Sequence, residues 1–331
     1  MDLTVVWAVI IAFAVAMYVV MDGFDLGIGI LFPLIPVGKE RDQAMNAVAP
    51  VWDGNETWLV LGGGGLMAAF PLAYAIILPA LYAPLIAMLL GLVFRGVAFE
   101  YRWRDPGHRK YWDFAFFAGS LAATFVQGVT LGALLHGIRI EGRAYAGGWW
   151  DWLSLYSLLT GAGLVAGYAL LGACWLIWKA ESDLHARMRR HARILLPLLV
   201  AAIGAVSLYT PFVLPQYAER WFDYPGLIVT VPMPILFGTA TLALWWSLGR
   251  GRDWMPFLLG LGLFQLSMAG LAISIWPYVV PGRVTIWQAA APYDSQVFML
   301  VGAAVLVPII LAYTGWAYWV FRGKVGEHGY H

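Results

Sequence analysis

The sequence predicts an all-α polytopic membrane protein of about nine transmembrane helices, and three observations carry that expectation. Of 331 residues, 61% are apolar and only 12% charged, whereas an average soluble domain is roughly half apolar and about a quarter charged. Apolar runs long enough to cross a bilayer, about 20 residues each, recur along the whole chain. Lys and Arg fall preferentially in alternate loops, the bias that marks the cytoplasmic side.

The runs place spans at residues 4–32, 51–72, 76–98, 112–135, 154–178, 193–213, 229–248, 254–278 and 295–321. The first starts at "MDLTVVWAVI", which has an acid and no basic flank, so it reads as a spanning helix and not as a cleaved signal. The second is glycine-rich, and "FPLAYAIILP" separates it from the third. With nine spans, sixteen of the 20 basic residues lie on one side and only Arg139, Arg143, Arg220 and Arg283 on the other. The N-terminus is therefore expected outside and the C-terminus in the cytoplasm. Many of the 18 tryptophans, Trp149, Trp150, Trp175, Trp178 and Trp254 among them, fall near expected helix ends, where amphipathic rings favour the interface. No loop is long enough for a separate domain, so residues 1–331 read as one integral membrane domain.

Other chemistry is thinly represented. The single cysteine, Cys174, excludes an internal disulfide. A net charge of +1 gives no sign of a nucleic-acid partner. His136 lies at an outer helix end, and His108, His185, His191, His328 and His331 lie in loops or the tail. None sits at the depth an intramembrane haem wants for an axial ligand, so no cofactor and no metal is assigned to this chain alone. Gln127 and Gln265 read as interhelical hydrogen-bonding groups, and Asp294 with Ser295 and Gln296 as the N-cap of the last span.

The acids of the first third are the exception. In "MDGFDLGIG", Asp22 and Asp25 lie three residues apart on one helix face, in the inner half of the first span. "WDGNETW" opens the second span with Asp53 and Glu56, with Asn55 beside them, and "FRGVAFEYR" ends the third with Arg95 and Glu100. All converge on the cytoplasmic half of the membrane. Carboxylates are costly there, and a one-sided series of them is what a proton intake route needs. The plain alternatives are helix capping, pairing with Arg95, and, for Asp53 and Glu56, the favourable field at a helix N-terminus. "GGGGLMAAF" adds Gly62, Gly63, Gly64 and Gly65, which read either as tight helix packing or as a gap passing a small apolar molecule or water. A proton-coupled secondary transporter would use similar features. Its related halves would each supply acids, and here the second half has none at mid-membrane. A third reading is a purely structural partner.

The stretches "DGFDLGIGIL", "VAPVWDGNETWLVLGGGGLMAAFPLAYA", "FRGVAFEYR" and "PIILAYTGWAYWVF" together resemble subunit II of the cytochrome bd quinol oxidases, in the branch that includes the cyanide-insensitive oxidases. The match is dense over residues 20–105 and returns in the last span. The resemblance implies two four-helix bundles plus a peripheral helix. It implies a haem-free chain bound to subunit I, which carries haem b558, haem b595 and haem d. The complex so implied oxidises quinol and reduces O2 to water without pumping, in a bacterial inner membrane, with lipids and in some members a small single-helix subunit as partners. Positions matching Asp25 and Asp53 are associated in the family with a proton route, and the region of Trp58 with an oxygen route. A structural quinone can also bind subunit II, at a site the sequence does not assign.

Overall fold

The computed structural model describes residues 2–325, so the expectations for His328 and His331 lie outside the described residues. The chain is almost wholly helical. The first part holds α1 (Leu3–Leu31), the short α2 (Lys39–Asn46), α3 (Trp52–Ala69), α4 (Pro71–Arg104) and α5 (Arg109–His136). Next come α6 (Leu155–Lys179), α7 (Ser182–Tyr209) and the short α8 (Pro215–Phe222) and α9 (Gly226–Thr230). The last part holds α10 (Pro232–Ser247), α11 (Met255–Ile275), the one-turn α12 (Ile286–Ala289) and α13 (Tyr293–Val320). Two small antiparallel hairpins, β1 (Ile140–Glu141) with β2 (Ala144–Tyr145) and β3 (Tyr278–Val280) with β4 (Val284–Thr285), lie between helices.

Among the described residues, eight helices are long and apolar enough to cross a membrane. The second expected span is α3, whose 18 residues fall short in hydropathy because Asp53, Asn55, Glu56 and four glycines dilute its apolar content. It ends at Phe70, and Pro71 starts α4 at once, as suits a residue whose missing N–H is harmless in a first turn. α4 and α7 are longer than their apolar runs. α4 continues past its apolar run through "FEYRWR", and α7 begins with the basic turns around Arg187, Arg189 and Arg190. The span expected at 229–248 begins as α9 and continues after Pro232 as α10.

Packing sorts the helices. In α6, 72% of the apolar window is buried, which makes it the central helix, whereas α10 and α13 are 6% buried and lie at the periphery. Glycine permits the closest crossings. Gly27 of α1 faces Gly172 of α6, and a Cβ on either would overlap backbone of the other helix. Gly91 of α4 and Gly119 of α5 make the same kind of contact. Trp175, expected at the interface, is instead 3% exposed. It stacks on Phe24 at 4.4 Å and donates to Ala47 O at 3.0 Å, because α2 folds back over the inner end of α6.

An ion-pair network fixes that inner surface. Arg102 Nε meets Asp113 at 2.6 Å and Arg102 Nη1 meets Asp42 at 2.8 Å, while Arg41 reaches Asp113 at 2.8 Å. Lys179 donates to Phe321 O at 2.7 Å and Gly323 O at 3.2 Å, holding the end of α13. At the opposite edge Trp7 Nε1 donates to Gln296 O at 3.1 Å. α13 starts after Pro292 with no side-chain cap. Gln296, expected as part of an N-cap, instead donates to Ala291 O at 2.8 Å. Gln127 does bridge helices, as expected, but Gln265 is on the outward face of α11.

Candidate functional site: a buried polar cluster in the inner half of the bundle

The last turns of α1, residues 22–29, are buried throughout, because α3, α5 and α6 surround them. Asp22 and Asp25 therefore face protein on all sides, and both are 0% exposed. Asp22 Oδ1 accepts from Arg95 Nη1 at 2.5 Å, with Arg95 also fully buried. The other Arg95 nitrogen, Nη2, pairs with Glu56 of α3. Arg95 thus joins α1, α3 and α4 at one point and balances the charge of Asp22. Glu56 is 27% exposed and forms the outer member of the triad.

Asp25 differs. Its Oδ2 accepts from Asn55 Nδ2 at 2.7 Å, and among the described residues no cationic side chain bonds it. Asn55 also donates to Met21 O at 3.1 Å, and its Oδ1 accepts from Tyr318 Oη at 3.0 Å. The last helix therefore closes over the site through one hydroxyl. Asp22 Oδ2 and Asp25 Oδ1 are buried and accept no hydrogen bond among the described residues. Such atoms are rare in folded chains, and here two stand three residues apart. Above them, Gln127 donates to Tyr18 Oη at 2.6 Å and accepts from Tyr168 Oη at 3.3 Å. Tyr18 lies one turn before Asp22 on α1, so the polar track extends toward mid-membrane.

Of the expected residues, Asp22, Asp25, Glu56 and Arg95 come together. Asp53 is exposed on α3 and bonds no member of the cluster, although its charge acts on the neighbouring Glu56. Glu100 does not join it either: it is 58% exposed and pairs with Arg104 at 3.1 Å, one turn along α4. Sequence reasoning missed Tyr18, Tyr168 and Tyr318. The spacing of Tyr18 before Asp22 was an available signal, since residues four apart share a helix face. Tyr318 had none, because its contact with Asn55 spans 263 residues.

Trp58 is 0% exposed between Ala14 and Tyr18, and Phe13 packs edge-on at 5.7 Å. Its indole N–H is buried without a protein acceptor. Gly62 and Gly65 lie close to Val15 and Ile11 of α1, so tight packing explains them. A Cβ added at Gly63 or Gly64 would meet nothing within 4 Å, and the two exposed glycines leave a bare strip on the outward face of α3. The histidines His108, His136, His185 and His191 are all outside the buried core, and no group of three His, Cys, Asp or Glu among the described residues could hold a metal ion.

Comparison with known proteins places the chain among related sequences and folds. The family model for cytochrome bd terminal oxidase subunit II matches residues 3–321. A probable cytochrome oxidase subunit 2 of Haemophilus influenzae is 30% identical over 97% of this chain and 94% of its own length. The cytochrome bd-I ubiquinol oxidase subunit 2 of Escherichia coli K12 is 28% identical over 97% and 94% of the two chains. The cytochrome bd ubiquinol oxidase subunit 2 of Bacillus subtilis is 29% identical over 97% and 96%. The fold matches a chain in the structure of bd oxidase from Geobacillus thermodenitrificans with a TM-score of 0.79, covering 98% of this chain and all of that one at 17% identity.

Proposed function

Because the chain belongs to the cytochrome bd terminal oxidase subunit II family, we propose that it is the haem-free second subunit of a quinol:O2 oxidoreductase and carries cytoplasmic protons toward the oxygen-reducing site of its partner. It spans the membrane nine times in this reading, α3 included, with the N-terminus outside. The haems b558, b595 and d, and the quinol site, belong to subunit I. They supply the electron transfer and oxygen chemistry, and this chain supplies scaffold and proton access.

One observation carries the proton role. Asp25 is fully buried and, among the described residues, has no cation bonded to it and keeps one carboxylate oxygen without a partner. A standing charge there is costly, so the group serves by taking up and passing on a proton. Glu56 is the inlet because it is the exposed member of the cluster. Arg95 holds Asp22 and Glu56 in register, so that the mobile proton is left to Asp25. Asn55 orients the Asp25 carboxylate, and Tyr318 in turn orients Asn55. Asp53, exposed, acts where α3 meets the cytoplasmic edge or the partner. Trp58 with the bare strip at Gly63 and Gly64 borders an apolar route for O2.

The oxidase assignment is tested by a reduced-minus-oxidised visible spectrum of the material co-purifying with this chain. Haem b and haem d bands with a larger partner, lost when the chain is isolated alone, are the expected result. A haem-free, partner-free but fully helical preparation would overturn it. For the oxygen route, Gly64→Leu is expected to slow oxygen uptake in an assembled complex, and unchanged uptake would remove that role.

A further inference from the structure

At the membrane edge that carries the N-terminus, β2 and the loop after it lie against α4 and border an open-sided cavity of about 150 Å³ with both polar and apolar lining. Four of its lining residues are aromatic: Tyr82 of α4, Tyr145 of β2, and Trp149 and Trp152 of the following loop. Tyr82 and Trp149 meet edge to face at 5.1 Å. Pro79 lines the cavity too and interrupts the hydrogen bonding of α4 beside it. No cationic side chain lines the cavity.

The charge beside it is negative. Asp151 accepts from Gly148 N at 3.1 Å, and Gly148 is itself a lining residue. Burial first, and then the field of Asp151, push the Tyr145 hydroxyl above its ordinary range. That hydroxyl donates to Gly148 O at 2.6 Å, which leaves the ring as what Tyr145 offers an occupant. Arg139 stands 3.9 Å from Asp151 but is 78% exposed, so water screens it.

Depth narrows the occupant. The 34 residues of α4 span about 51 Å at ~1.5 Å each, against a hydrocarbon core of ~30 Å. Centred, the helix projects roughly 10 Å at each end, so Pro79 to Tyr82 lie roughly 2–7 Å inside the acyl-chain boundary, beneath the loop of Gly147 to Trp152 that lines the cavity. Aromatic faces bind alkylammonium groups. We propose that this cavity holds the ammonium headgroup of one phospholipid, with the ammonium among the four rings near Asp151. The site is independent of the proton route and of the partner's chemistry.

The purified complex, exchanged into detergent with equal phosphatidylethanolamine and phosphatidylglycerol of the same acyl chains, should keep one phosphatidylethanolamine through washing when examined by native mass spectrometry. Trp149 is 56% exposed, so Trp149→Leu leaves the fold intact. That variant is expected to lower retention about tenfold, the effect of ~1.4 kcal/mol, between the exposed and desolvated values for one cation–π contact. Trp149→Phe should keep most of it, and Asp151→Asn should weaken it. Equal retention of the two lipids, an unchanged Trp149→Leu variant, or a neutral quinone in place of the lipid would each overturn the assignment.

Discussion

Removing Arg95 separates its packing from its charge. Arg95→Met keeps much of the side chain's length but leaves Asp22 as a buried carboxylate with no cation. The pair is 2.5 Å apart and both side chains are 0% exposed, so water cannot replace the lost partner. Breaking such a pair from one side costs roughly 3–5 kcal/mol. Glu56, 27% exposed, can turn toward water and adds little to the loss. At ~2 °C per kcal/mol for a chain of this size, the apparent thermal midpoint of the purified complex should fall by about 6–10 °C. Arg95→Met combined with Asp22→Asn removes both charges and should recover at least half of that fall. Midpoints are read by scanning fluorimetry on complexes matched for subunit content. An unchanged midpoint for Arg95→Met, or a double variant no more stable than the single one, would refute the view that Arg95 neutralises Asp22.

Other consequences follow from packing and from charge. Gly27→Ala places a methyl group on the Tyr168 carbonyl and should destabilise the complex by about 1–3 kcal/mol. Gly64→Ala meets open space and should leave the midpoint unchanged. Tyr318→Phe deletes the bond to Asn55, which is expected to cost about 1 kcal/mol and to slow oxygen uptake several-fold without loss of haem. Burial alone would raise the Asp253 carboxyl, but hydrogen bonds from His185, Lys324 and Arg189 outweigh it and hold it below the ordinary carboxylate range. A depressed folded value gives stability that is full above the unfolded value and lost as pH falls through the folded one. Hydrogen exchange around Lys324 should therefore quicken below about pH 4, and Asp253→Asn should remove that pH dependence.

The succession of apolar helices was legible because hydropathy is read locally. It failed where a helix outran its apolar run, as in α4 and α7, since backbone hydrogen bonding continues into water without an apolar stripe. The cluster was half legible. Asp22, Asp25 and Glu56 are conspicuous because a carboxylate within an apolar run has few plain explanations. Glu100 carries the same chemistry but lies on the exposed side of α4, and in a run buried on no consistent period the sequence does not say which side faces protein. Tyr318 and the position of Trp175 depend on how α13 and α2 fold back over the inner surface. Those are contacts between distant residues, and no spacing within either segment encodes them.

The most direct test of the proton role is oxygen uptake per haem d by assembled complexes carrying Asp25→Asn. The amide has nearly the shape of the carboxylate and can still meet Asn55, so assembly should be complete and the haem spectrum unchanged. Uptake should fall at least about tenfold, the effect of adding ~1.4 kcal/mol to a proton-transfer barrier. A fully assembled Asp25→Asn complex with normal uptake would contradict the account.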